Sequence, residues 1–220
     1  TPHNGTILAD IISNNLPFLQ KITPFFGIMD DSAIETFYSF DLEQWDINQG
    51  EDESTSNYLK RLSKSSIKES KNFSAWDVSI AGAKSFNDIY VTDTNVYYFS
   101  YSTYSTREIS NKTHIPDSNM SLKLWPSALI IGQSAKLGTD WNMNDGIVNT
   151  ISMKYPINTN NQEAPNKIFN EEEINKGIWQ VMDPIHMDHN VVIGHGILES
   201  DKDKLKSFFL KVCERLYRLD

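Results

Sequence analysis

The chain has 220 residues, of which 39% are hydrophobic and 22% charged, with a net charge of -9. That is enough for one domain with a substantial core. Its acids and bases are interspersed, which argues against nucleic acid or an anionic membrane surface as the main partner.

No apolar run approaches the roughly 20 residues that a membrane span needs. The chain opens on Thr1-Pro2-His3 with neither a methionine nor a signal peptide, so the protein's start is expected elsewhere. Its one cysteine, Cys213, leaves no intramolecular disulfide. Sequons beginning at Asn4, Asn72, Asn111 and Asn119 match the chance yield of so Asn- and Ser-rich a chain.

Asn4-Gly5, with Pro2 ahead of it, is turn chemistry. Thr6 can cap the next run, in which Leu8, Ile11, Ile12, Leu16, Leu19, Ile22 and Phe26 recur at helical spacing. Pro17 splits that run into two short helices, because proline suits a first turn and not a helix interior. The apolar face ends in Pro24-Phe25-Phe26-Gly27 and must cover something or meet a lipid surface. Residues 30–56 read as loop, closing on the acidic patch Glu51-Asp52-Glu53. Tyr58, Leu59, Leu62 and Ile67 predict a surface helix with Lys60, Arg61 and Lys64 on its outer side.

A further helix is predicted over 79–87, with Ile80, Ala83 and Phe86 facing inward. Asn95 to Ser102, β-branched and aromatic on both faces, reads as a strand buried inside a parallel sheet. Its Tyr97, Tyr98, Phe99 and Tyr101 read as core rather than as a stacking platform. Residues 105–119 form a polar excursion, 122–131 a mostly apolar segment, and 156–175 a solvated loop. Gly177 to Val181 is a short strand, and Asn190 to Gly194 reads as another strand end. The chain closes on an amphipathic helix capped by Ser200 or Asp201, with Leu205, Phe208, Phe209, Val212, Leu216 and Leu219 in one stripe. Cys213 within it reads as a buried packing thiol. Strands separated by helical stretches give an α/β fold.

The chemistry centres on Asp145 and His189. Asp145 sits on an Asp-Gly turn after a polar segment; it is either a turn-former bonding its own backbone or an acid placed to orient a histidine. His189 is either a satisfied structural histidine or the base of a triad. Acid before base matches the order of α/β-hydrolases. The nucleophile is missing. No Gly-x-Ser-x-Gly occurs, and Ser134 in Gly132-Gln133-Ser134 lies too near Asp145 for an elbow helix and further strands to intervene. His186-Met187-Asp188-His189 could suggest a metal site, but three-residue spacing on a loop with no third ligand nearby is a weak signal for one.

Six pieces in order carry a resemblance. They are Thr1-Pro2-His3-Asn4-Gly5-Thr6; Phe40-Asp41-Leu42-Glu43-Gln44-Trp45; Tyr97-Tyr98-Phe99-Ser100; Trp141-x-x-Asn144-Asp145-Gly146-Ile147-Val148; Lys176-Gly177-Ile178-Trp179; and Asp188-His189 leading to Ile193-Gly194. Together they resemble the bacterial triacylglycerol lipases of the staphylococcal and thermoalkalophilic Bacillus type, over nearly the whole chain. The resemblance implies the C-terminal part of an α/β-hydrolase fold, a mainly parallel sheet flanked by helices. Residues from about 6 to 75 would form a lid and cap region, and those from about 76 to 220 the core.

It also implies that Asp145 is the triad acid and His189 the base, with the serine and oxyanion hole upstream of Thr1. Leu8 to Phe26 would be a lid, presenting Leu8, Ile11, Ile12, Phe25 and Phe26 to the active site or to lipid. The implied partners are a lipid ester at a lipid–water interface and the N-terminal half of the same protein, outside the cell. No cofactor is required for the chemistry. Many relatives hold a zinc ion through an aspartate where this chain has Glu43, whose longer arm makes that site weaker. Their calcium site uses an acid two positions after the histidine and an aspartate further on; Val191 and, approximately, Gly196 stand there, so calcium is expected to be lost or its site rebuilt. The expected function is hydrolysis of lipid carboxylic esters, with this chain inactive by itself. The alternative is a non-catalytic remnant, or a lipid- or partner-binding module, that keeps the scaffold.

Overall fold

The computed structural model describes residues 2–14, 50, 52–62, 64–65, 71, 74–134, 137–195 and 199–219. From the N-terminus its elements are α1 (Ile7–Asn14), α2 (Thr55–Leu62), the single turn α3 (Ser74–Asp77) and α4 (Ile80–Ile89). Strands β1 (Tyr98–Ser100), β2 (Thr103–Tyr104), β3 (Thr106–Glu108) and β4 (His114–Pro116) come next, then α5 (Trp125–Gly132). The last third holds β5 (Asn166–Ile168), β6 (Trp179–Val181), β7 (Ile185–His186), the single turn α6 (His189–Val192) and the long α7 (Glu199–Tyr217).

Two strand segments carry the site. β1 and β5 flank β6 in a parallel sheet of order β1-β6-β5, and β2 pairs in parallel with β7. Ser100 faces Val181, an offset of 81 positions (181 minus 100), whereas Thr103 faces Ile185, an offset of 82 (185 minus 103). One extra residue therefore sits between β6 and β7, where Pro184 has no amide to give the ladder. The Met182 and Ile185 amides still bond the Ser100 and Ser102 carbonyls, at 3.1 and 2.8 Å, so the two ladders run on as one.

Several features differ from the sequence reading. Among the described residues β1 lies at the edge of its sheet, with none of them pairing on its outer side, where the sequence reading has an interior strand. Residues 105–119 contain the antiparallel β3–β4 hairpin, closed by Ser110 to Thr113 with Asn111 and Lys112 both at positive φ (49° and 55°), as a primed turn requires. Residues 189–192 make a helical turn and not a strand, because the Asp188 side chain caps it by accepting the Val191 amide at 2.9 Å. Phe86 is exposed, against Tyr90, while Ile80 and Ala83 are buried. A strict three-residue spacing drifts around a helix of 3.6 residues per turn, which carries Phe86 off the buried face.

The closing helix α7 forms as its periodicity predicts, but Ser200 and Asp201 lie inside it and not at its cap. Leu205 is buried and Phe208 packs edge-on to Tyr101, whereas Phe209 and Leu216 are exposed. Cys213 is exposed too, contrary to the packing role expected of it. Eight residues past Leu205 on a helix, it falls on the flank of the stripe.

The N-terminal arm is tied into the body by polar bonds. The Asn4 Nδ2 donates to the Tyr155 carbonyl, its Oδ1 accepts the Ile157 amide, and its own amide donates to Ser152 Oγ. Gly5 adopts φ 75°, and a Cβ there would meet the Ser79 carbonyl oxygen at 2.4 Å, so the close approach requires glycine. α1 then packs on α3, α4 and α5, with Ile7, Leu8 and Ala9 buried. A second apolar centre joins Met120, Leu124 and Ala128, with Ile147 against it.

Candidate active site

The loop before Asp145 is built to hold one conformation. Asn144, fully buried, accepts the Gly146 amide on Oδ1 and donates from Nδ2 to the Asn142 and Ala128 carbonyls. Gly146 takes φ 103°, where a Cβ would strike Leu124 at 2.8 Å. Asp145 is 1% exposed, and its Oδ1 accepts the amides of Ile147 (3.0 Å) and Val148 (2.8 Å). It is thus a turn-former that bonds its own backbone. Its second oxygen is free of that duty. Oδ2 accepts the Thr103 hydroxyl at 2.9 Å and faces His189 Nδ1 at 3.0 Å.

His189 enters from the other side as the first residue of α6, and its amide donates to the Asp145 carbonyl at 2.9 Å. An ionised carboxylate only accepts, so the hydrogen bond assigns the proton of a neutral His189 to Nδ1 and leaves Nε2 as the basic nitrogen. Nε2 has no hydrogen-bond partner among the described residues, and the side chain is 31% exposed. Asp145 lies beside the C-terminal end of β2 and His189 just past that of β7, the end of a parallel sheet where α/β proteins place their sites.

A second acid–histidine pair stands next to the first. His186 Nε2 and Asp117 Oδ2 are 2.6 Å apart, and Tyr104 stacks on the His186 ring. Burial alone would raise the Asp117 carboxyl, but hydrogen bonds from His186, the Asn119 amide and the Ser105 hydroxyl outweigh it and hold the group below the usual carboxylate range. Asp188 accepts the Ser121 amide at 2.7 Å on Oδ2 and caps α6 with Oδ1. Val191, two positions after His189, is half-buried and brings no side-chain oxygen.

Sequence reasoning pairs Asp145 with His189, misses Thr103 and Asp117, and considers His186 only as a metal ligand, not as the partner of Asp117. Nothing in the sequence marks Thr103 among its hydroxyl-rich neighbours; only the chain path brings it to Asp145, 42 positions away. Of the residues read as a lid, Leu8 is buried and Ile11 half-buried in α1. The Ile12 side chain, Phe25, Phe26 and the zinc-site residue Glu43 lie outside the described residues.

Parallel strands flanked by helices, with an acid and a histidine meeting at the strand ends, are the C-terminal part of an α/β-hydrolase fold. The model of the family described as "Lipase-like, C-terminal domain" matches residues 1–220, and the chain belongs to that family. The lipase of Staphylococcus hyicus is 30% identical over 223 residues, covering 100% of this chain and 33% of that protein. A Staphylococcus epidermidis lipase is 30% identical over 222 residues, covering 98% of this chain and 30% of that protein. The crystal structure of the S. hyicus lipase matches with a TM-score of 0.72 and 28% identity, over 99% of this chain and 55% of that one. The structure of EstA from Clostridium botulinum matches with a TM-score of 0.66 and 25% identity, over 88% and 48% of the two chains. The chain spans about a third of the length of the lipase sequences it matches.

Proposed function

We propose that this chain supplies the acid and the base of a Ser-Asp-His hydrolase of lipid esters, whose nucleophile and oxyanion hole lie in a further segment of the same protein. One observation carries the reading: His189 Nδ1 is bound to a buried, otherwise saturated Asp145 while Nε2 stays open. A serine on the missing segment would attack the ester carbonyl as His189 Nε2 takes its proton, and the same nitrogen would return the proton to the leaving alcohol. Asp145 would keep the ring oriented and stabilise the imidazolium. The unpaired side of β1 supports the reading as the place where more of the sheet would join, as does the absence of a Gly-x-Ser-x-Gly in the sequence. In this reading the buried first turn of α1 is the fixed foot of the lid.

The test is hydrolysis of p-nitrophenyl esters of graded chain length by the full-length protein. His189→Ala should lower kcat by about 10⁶-fold and leave KM near its starting value. Wild-type rates in that variant would remove His189 from the mechanism.

A further inference from the structure

We propose that the Asp117–His186 pair, with the Asp188–Ser121 bond, is a positioning device that ties down the loop carrying His189 without calcium. The inference rests on His189 being the base. A hard cation wants about six to eight oxygen ligands, and the described residues of this loop do not offer them. Val191 is apolar, Asp188 already spends both carboxylate oxygens on the Ser121 and Val191 amides, and both oxygens of Asp117 are engaged by His186, Ser105 and the Asn119 amide. Among the described residues, no group of three or more His, Cys, Asp or Glu side chains is arranged to hold a metal.

What replaces the ion is a closed circuit of bonds. The Ser105 amide donates to the Asn144 carbonyl, next to Asp145, at 2.9 Å, and the Ser105 hydroxyl donates to Asp117 Oδ1 at 3.1 Å. Asp117 Oδ2 meets His186 at 2.6 Å, and the same short turn that holds Asp117 gives the Ser121 amide to Asp188 at 2.7 Å. The Lys204 ammonium adds a bond to the His186 carbonyl, and the Tyr104 ring stacks on the imidazole with ring centres 5.0 Å apart. The acid loop and the histidine loop are therefore joined twice. One link is Asp145–His189 itself, and the other runs behind it through Ser105, Asp117 and His186. Because His186 and Asp188 lie three and one positions before His189, the second link sets where the His189 backbone starts. A misplacement of about 1 Å there is worth about 10²-fold in rate.

The experiment uses the full-length protein and has two arms. In the first, thermal unfolding of the wild type is followed with added calcium chloride and with EDTA. No difference is expected, and a rise in Tm with calcium that EDTA reverses would overturn the proposal. In the second, ester hydrolysis is measured for His186→Ala, Asp117→Asn and His186→Gln. The first two should lose about 10- to 100-fold in kcat with KM little changed, and His186→Gln, which can still donate to Asp117, should recover most of that loss. A merely structural pair would lower Tm and leave kcat per folded molecule intact, a result that overturns the proposal. Should the alanine and asparagine variants not fold, the calcium arm and His186→Gln decide. A wild type that hydrolyses no ester sinks the functional reading instead, and the calcium arm still tests the tether.

Discussion

The Thr103 hydroxyl and the His189 imidazole meet the same oxygen of Asp145, at 2.9 and 3.0 Å. The hydroxyl on Oδ2, with the Ile147 and Val148 amides on Oδ1, holds the carboxylate where Oδ2 meets Nδ1. A hydrogen bond to a charged group contributes about 1.5–3 kcal/mol, so Thr103→Val should cost about 10- to 100-fold in kcat with little change in KM. Thr103→Ser keeps the donor and should stay near wild type. Steady-state kinetics of the three proteins check this, and equal kcat for the valine variant would contradict it. Local chemistry, an Asp-Gly turn and a histidine ahead of an apolar run, marks Asp145 and His189 as candidates and leaves each open; the ordered resemblance is what pairs them. Thr103 is not marked, because a buried threonine donor looks in sequence like any other strand threonine. The pairing of Asp117 with His186 is hidden for the same reason, being set by the path of the chain and not by spacing.

At the scale of elements, the N-terminal arm and the loop after Asp145 act as one unit. The Ile7 amide, at the start of α1, donates to Asn149 Oδ1 at 3.0 Å, and the Thr6 hydroxyl donates to the Ile147 carbonyl at 2.7 Å. Asn149 thus caps a helix 142 positions away while its Nδ2 bonds the Trp141 carbonyl. Removing a buried partner leaves an amide unsatisfied, at a cost of about 1–3 kcal/mol. Asn149→Ala should lower the denaturation midpoint accordingly with no change in the slope m, as urea unfolding will show. An unchanged midpoint would mean that α1 is capped in some other way. Helical periodicity and the split before Pro17 make α1 readable, and α7 likewise. The β3–β4 hairpin escapes a sequence reading, because its alternation is buried in polar residues and its turn is Asn-Lys rather than Asn-Gly. α6 reads as strand because Val191, Val192 and Ile193 favour strands, while the Asp188 cap and the bond from the His189 amide to the Asp145 carbonyl impose a turn.

At the scale of the molecule, proton binding sets the acid limit of stability. Burial against Trp179 lowers the pKa of His3 from 6.5 to about 4, and burial lowers His114 as well. The unfolded chain takes up protons near pH 6.5 while both imidazoles resist protonation in the fold, so their contribution is complete above that pH and is lost on acidification, for His3 as the pH falls through about 4. Asp117, held below its ordinary 3.8, extends the loss to still lower pH. Tm should therefore be flat above neutrality and fall below pH 6.5, and His3→Phe should flatten the fall. A Tm that rises on acidification would show that these groups gain protons on folding. The α/β class is legible from the alternation of strand and helix. The edge position of β1 is not, because an apolar strand reads alike whether its neighbour belongs to the same stretch of chain or to another.

The central claim is that Asp145 and His189 form the acid–base half of a serine hydrolase completed by another segment of the protein. The most direct measurement compares ester hydrolysis by the isolated 220-residue chain, the full-length protein, and full-length Asp145→Asn. The account predicts turnover in the full-length protein alone, with the asparagine variant down by about 10⁴-fold. Turnover by the isolated chain, or undiminished turnover in the asparagine variant, would contradict it.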